Sequence, residues 1–192
     1  MSSNLGHDMS KEKVGQWVFV CGPSGAGKDS VMSWAASFMV AQTNIVFARR
    51  MVTRPVQPGS DHDAMTLPAF EALLHDGGLA WHWHAHGNRY GIAGHYARHV
   101  AQGGIVVVNG SREHVNTLPT PSNCRVVQIV AEARHLETRL VQRGRDDERE
   151  IAGRLARNAQ FLDLAADCTI VNQGELADAG LQLADYLLSC AR

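Results

Sequence analysis

One stretch of this 192-residue sequence is built for phosphate chemistry: Gly22-Pro23-Ser24-Gly25-Ala26-Gly27-Lys28-Asp29. It fits G-x-x-x-x-G-K-[ST] at every position except the last. Glycines let backbone N–H groups turn inward around phosphate oxygens. A helix N-terminus beneath adds its dipole, and the lysine reaches the terminal phosphates. Of the 18 Lys and Arg residues only Lys11, Lys13 and Lys28 are lysines, so Lys28 is the last lysine in the chain. A general bias toward arginine explains the imbalance but not why the surviving lysine sits in this loop. Asp29 stands where a hydroxyl residue would normally face magnesium. A carboxylate is a harder, charged oxygen ligand that could hold the metal directly or through water, and Ser30 is the adjacent hydroxyl. The leading reading is phosphoryl transfer from a nucleoside triphosphate.

The surrounding elements suit that reading. Residues 16–21 (QWVFVC) predict a buried strand before the loop, and apolar spacing over 28–41 predicts a helix after it. Residues 45–52 read as a second strand and 53–66 as a polar loop with Pro and Gly. Thr66 is placed to cap a helix over 67–75, with Pro68 tolerated in its first turn. Residues 79–92 predict strand, turn and short strand, and 96–101 a short helix. The β-branched runs 105–108 and 126–130 predict strands covered on both faces. Helices are expected over 132–142 and 148–164, a strand over 169–171 and a closing amphipathic helix over 175–189. Strands alternating with helices imply a three-layer α/β domain on a central parallel sheet. Residues 1–15 read as a loose tail and 16–192 as one domain.

Composition narrows the function classes. The formal net charge is -1, which argues against a generic nucleic-acid binder. No apolar run is long enough to span a membrane. The cysteines Cys21, Cys124, Cys168 and Cys190 are far apart without a C-x-x-C pair. That suits free thiols in a reducing cytoplasm, where this chain is expected. Trp17 and Trp34 read as core, whereas Trp81 or Trp83 is placed to wall an acceptor pocket.

With the phosphate loop in place, the chain resembles the guanylate kinase-like branch of the nucleoside monophosphate kinases. The resemblance is carried by Thr53-Arg54 and Gly59, by Gly87-Asn88-Arg89-Tyr90-Gly91, and by Arg139-Leu140 with Arg143-Gly144. Arg154-Leu155 and Val171-Asn172 follow in order, so about residues 16 to 190 are covered. The base-reading positions depart from guanylate kinases. Trp81 replaces the acidic guanine reader, Ile92 the small hydroxyl residue after Tyr90-Gly91, and Asn109 and Ser111 the acidic pair. Tryptophan cannot accept from guanine's N–H groups, and an unpaired buried donor costs about 1–3 kcal/mol. These departures resemble instead the ribose 1,5-bisphosphate phosphokinases of phosphonate degradation. That resemblance rests on the 22–30 run ending Lys28-Asp29-Ser30, on Trp83-His84-Ala85, Tyr90-Gly91, Val108-Asn109-Gly110-Ser111-Arg112 and on 139–145.

The family resemblance implies transfer of the ATP γ-phosphoryl group to ribose 1,5-bisphosphate, giving 5-phosphoribosyl 1-diphosphate and ADP. A phosphate monoester is already mostly dianionic at pH 7, so its oxygen needs no general base. Two polyanions do require charge cancellation, for which planar guanidiniums are suited. Lys28 and the 22–28 backbone are expected to hold donor phosphates, with Asp29 or Ser30 placing magnesium. Arg54, His84, Tyr90, Asn109, Ser111 and Arg112 are the acceptor-site candidates, in an acceptor-binding region of about 50–92 and the strand end beyond it. Arg143 and Arg154 would act catalytically from a lid at about 143–150 and the helix after it. Arg145 and Arg157 are second choices, and Asn172 would sit near the adenine.

His82, His84 and His86 alternate and would share one strand face, a geometry open to zinc. With no acidic or cysteine partner nearby, a surface or packing role is the plainer reading for His82 and His86. Two other functions stay open. One is a nucleoside monophosphate kinase such as guanylate kinase. The other is a non-catalytic guanylate kinase-like binding module, a class that typically loses the loop lysine retained here. Expected partners are a phosphosugar, with neither nucleic acid nor membrane; a homodimer is left open.

Overall fold

The computed structural model describes residues 14–23, 25–56, 61–85, 87–117, 123–132 and 164–192. Strand β1 (Gln16–Cys21) begins the fold, and its burial on both faces explains its run of aromatic and β-branched residues. Helix α1 (Lys28–Phe38) follows the phosphate loop. The chain continues through β2 (Ile45–Phe47), β3 (Arg50–Val52), β4 (His62–Ala64), α2 (Leu67–His75), β5 (Leu79–Ala85) and β6 (Asn88–Ala93). Next come α3 (His95–Ala101), β7 (Ile105–Asn109), α4 (Arg112–Thr117), β8 (Cys124–Val130), β9 (Cys168–Val171) and α5 (Leu176–Cys190).

Two sheets result. A five-stranded parallel sheet has the order β2-β7-β1-β8-β9, and a four-stranded sheet has the order β4-β3-β6-β5. The period-2 alternation of β1 assigns its residues to two cores. Val18 and Val20 join Val31 and Ala35 of α1 and Leu183 and Leu187 of α5 in an aliphatic core. Trp17, Phe19 and Cys21 face the other way, into an aromatic core shared with Trp83, Tyr90 and Ile92 of the second sheet.

The expected α/β class with a central parallel sheet is the one observed. Four local readings are corrected. The single strand over 45–52 is two strands in different sheets, because the chain steps across at Ala48–Arg49. There Ala48 N–H still donates to Val107 while Arg49 N–H donates to the Tyr96 hydroxyl. The polar loop contains β4, paired parallel to β3. Helix α4 was not foreseen. Trp34 is only half-buried, stacked on the exposed Phe38 along α1. All but the end residues, 132 and 164, of the expected helices over 132–142 and 148–164, together with the lid and all but the end of the 1–15 tail, lie outside the described residues.

Candidate active site

The phosphate loop leaves β1 at Cys21 and is shaped by close approach. Gly22 has φ 149°, and a Cβ there would meet the Ile129 carbonyl oxygen of β8 at 2.0 Å. Gly27, at φ 84°, turns the chain into α1 in a left-handed conformation that other residues rarely adopt. The loop is fastened from the far end of the chain by Asn172, just past β9, whose Nδ2 donates to the Ala26 carbonyl at 2.7 Å. Lys28 Nζ donates to the carbonyls of Gly22 (2.9 Å) and Pro23 (3.0 Å). Burial pulls the ammonium down to about 8, a desolvation effect that neighbouring Asp29 offsets only in part. Beneath it, burial pushes the Cys21 thiol up to about 12, so it stays protonated despite Lys28 and Arg112 nearby.

Asp29, in the first turn of α1, reaches both sheets. Its Oδ1 accepts from Asn109 Nδ2 at 2.7 Å, at the end of β7, and lies 3.5 Å from Arg50 Nη2, at the start of β3. Arg50 Nη1 donates to the Asn109 carbonyl at 3.4 Å, and the guanidinium lies 6.0 Å over the Tyr90 ring. Burial lowers the proton affinity of both Arg50 and Arg112, and Arg54 adds like-charge repulsion at Arg50. Lys28 and Arg50 therefore flank the phosphate-loop carboxylate Asp29, with Arg54 close to Arg50 and Arg112 close to Lys28. Cations drawn this close to the phosphate loop suit an anionic ligand.

An aromatic wall continues from Tyr90. Trp83 stacks on Tyr90 (5.4 Å, 8°) and on His114 of α4 (4.7 Å, 11°). Trp81 packs edge-on against Trp17, Phe19 and His114. Burial pulls the His114 imidazole down to about 4, with His82 adding a smaller push, so it is neutral at pH 7. Trp81 Nε1 and His114 Nδ1 are buried without hydrogen-bond partners among the described residues.

No family model matches the chain. Whole sequences do. Ribose 1,5-bisphosphate phosphokinase PhnN of Agrobacterium fabrum is 38% identical over 179 residues, covering 91% of this chain and 97% of that protein. The chain belongs to the PhnN family. The PhnN protein of Burkholderia pseudomallei is 39% identical over 188 residues, covering 96% of this chain and all of its own length. Among solved structures, a guanylate kinase from Anaplasma phagocytophilum superposes with TM-score 0.67 at 18% identity, covering 92% of this chain and 86% of that one. That likeness establishes the guanylate kinase-like fold.

Against this PhnN-type framework the sequence candidates divide. Lys28, Asp29, Tyr90 and Asn109 converge, with Arg112 at the start of α4 and Ser111 beside it. Arg54 is near enough to Arg50 to repel it, and its carbonyl takes a 3.3 Å bond from His62 Nε2. His84 is a correction: alternation along β5 sends it and His82 to the solvent face, opposite Trp83. Ser30 is another, because it is exposed and lines an outer recess with Ser33, Trp34, Ser37 and Leu176. Asp29, expected as a magnesium ligand, has Oδ1 bonded to Asn109 and 3.5 Å from Arg50 Nη2. Asn172 lies under the loop as its brace. No trio of His, Cys, Asp or Glu among the described residues is arranged to hold a metal. Ser24, His86, Arg143, Arg145, Arg154 and Arg157 fall outside the described residues. Arg50 and His114 were missed. Arg50 could have been found by phase, since it shares a strand face with the buried Val52.

Proposed function

We propose that this chain transfers the γ-phosphoryl group of ATP to the 1-phosphate of ribose 1,5-bisphosphate, forming 5-phosphoribosyl 1-diphosphate and ADP. The observation that carries the proposal is the phosphate loop with Lys28, tied through the Asp29–Arg50 contact to the four-stranded sheet, in a chain of the PhnN family. An acceptor phosphate oxygen attacks the γ-phosphorus as the bond to the β-phosphate oxygen breaks, and ADP leaves with that oxygen. The acceptor is dianionic at neutral pH, so the site needs cations rather than a base. The thiol of Cys21 stays protonated and takes no part.

The loop fits ATP phosphates: Lys28 holds two carbonyls that phosphate oxygens would replace, and the glycine turns bring backbone close. Tyr90, Asn109, Arg54, Ser111 and Arg112 would bind the acceptor, with Arg143 and Arg154 closing on the transferring group. Magnesium would arrive with the nucleotide. The wall of Trp81, Trp83, Tyr90 and His114 suits a sugar better than guanine, because it carries no carboxylate to meet guanine's donors.

The test is a product assay. Incubation with ATP, magnesium and ribose 1,5-bisphosphate should produce a diphosphate pair in phosphorus NMR and a substrate for a phosphoribosyltransferase. Rapid ADP release with GMP, and none with the phosphosugar, would overturn the assignment in favour of a nucleotide kinase.

A further inference from the structure

Resting on that function, we propose that Arg50 binds a phosphate group of the acceptor and that Asp29 is its positioning residue, aiming the guanidinium from the phosphate loop. Arg50 belongs to the four-stranded sheet, yet its side chain is 13% exposed and its charge meets the first turn of α1. Three contacts define its plane: Asp29 on one edge, the Asn109 carbonyl on another and the Tyr90 ring beneath. A guanidinium has five N–H donors, and these contacts leave donors for a phosphate. The 3.5 Å separation from Asp29 is longer than a close charge-assisted bond, so the carboxylate draws the cation toward the loop without forming a bidentate pair with it.

Asp29 has the matching geometry. Oδ1 takes a 2.7 Å bond from Asn109 on one side and faces Arg50 on the other. A magnesium ion on the same oxygen would displace an amide donor and stand beside a guanidinium and the Lys28 ammonium, both cations. The groups facing Asp29 are thus Asn109 from β7, Arg50 from β3 and Lys28 from its own helix. Those facing Arg50 are Asp29, Tyr90, Arg54 and, weakly, Asp61, whose carboxylate is paired with Arg49. The carboxylate that replaces a hydroxyl at the end of the phosphate motif thereby ties the donor loop to the acceptor sheet.

Asp29→Asn keeps an oxygen for Asn109 but removes the charge that aims Arg50. Arg50→Lys keeps the charge but removes the planar fork. The full-length protein is titrated with ribose 1,5-bisphosphate by calorimetry in EDTA, without nucleotide, after melting curves show that each variant is folded. Each substitution is expected to weaken acceptor binding about ten-fold or more, with ATP affinity within about two-fold of the parent. The double variant should be no weaker than Arg50→Lys alone. In turnover assays the KM for the phosphosugar rises while the magnesium concentration at half-saturation stays fixed. A changed magnesium requirement in Asp29→Asn, with acceptor affinity intact, would make Asp29 a metal ligand and overturn the proposal. Wild-type acceptor affinity in Arg50→Lys, or additive losses in the double variant, would overturn it equally. If the unmodified protein ignores ribose 1,5-bisphosphate but phosphorylates GMP, the parent function fails, and this assignment with it.

Discussion

Lys28 holds a positive charge in a desolvated place where two backbone carbonyls accept from it and Asp29 offsets the burial only in part. Its depressed proton affinity makes two outcomes measurable. The unfolded lysine stays protonated to about 10.5 but the folded one only to about 8. Between those values the unfolded chain binds more protons, so stability should rise with pH there and be lost as pH falls through 8. Lys28→Met should abolish that rise in urea melts recorded from pH 7 to 10. The same variant should lose about 1,000-fold or more in turnover, while the nucleotide-free protein gains about 1–3 kcal/mol. Phosphate oxygens restore the proton, so at pH 8.5 ATP binding should take one up. Calorimetry in two buffers of different ionisation enthalpy would read that uptake. At this scale the sequence was informative where a motif fixes spacing: Lys28, Tyr90 and Asn109 are found together. It was silent on Arg50, whose neighbour Arg49 pairs outward with Asp61 and Asp63 while Arg50 turns inward. Two adjacent arginines give no spacing signal; only the strand's phase separates them.

The elements that carry these residues have their own sensitivities. Helix α4 delivers His114 onto Trp83, and the imidazole there must be neutral. Its folded proton affinity lies near pH 4 against an unfolded 6.5, so stability present above 6.5 is lost as pH falls toward 4. His114→Phe should keep the stack and shrink the drop in melting temperature between pH 7 and pH 5. Helix α5 packs on α1 through Gly180, where a Cβ would meet the Trp34 ring at 2.1 Å. Gly180→Ala should cost about 1–3 kcal/mol in denaturant unfolding, the range of an overpacked core. Helices α1, α2 and α5 were legible because apolar spacing, the Thr66 cap and Pro68 mark them. The division of 45–52 into β2 and β3 was not, since a strand that changes sheet keeps its β-forming composition throughout. Nor was α4, a six-residue helix too short for a periodic signal.

Across the whole molecule, the two cores meet at β1. Val18, Phe19, Val20 and Cys21 are fully buried, and both edges of the strand are paired. Its amides should exchange with deuterium only through global unfolding, whereas those of β4 at the sheet edge should exchange far sooner. Mass spectrometry of peptides spanning 16–21 and 61–66 would check this ordering. The same topology bears on synthesis. The phosphate loop is translated early, yet its strand lies between β7 and β8, and its Ala26 carbonyl awaits Asn172, 146 residues downstream. A ribosome must add those residues before that brace exists. A nucleotide that needs the braced loop therefore finds it only once Asn172 has been made and has reached Ala26.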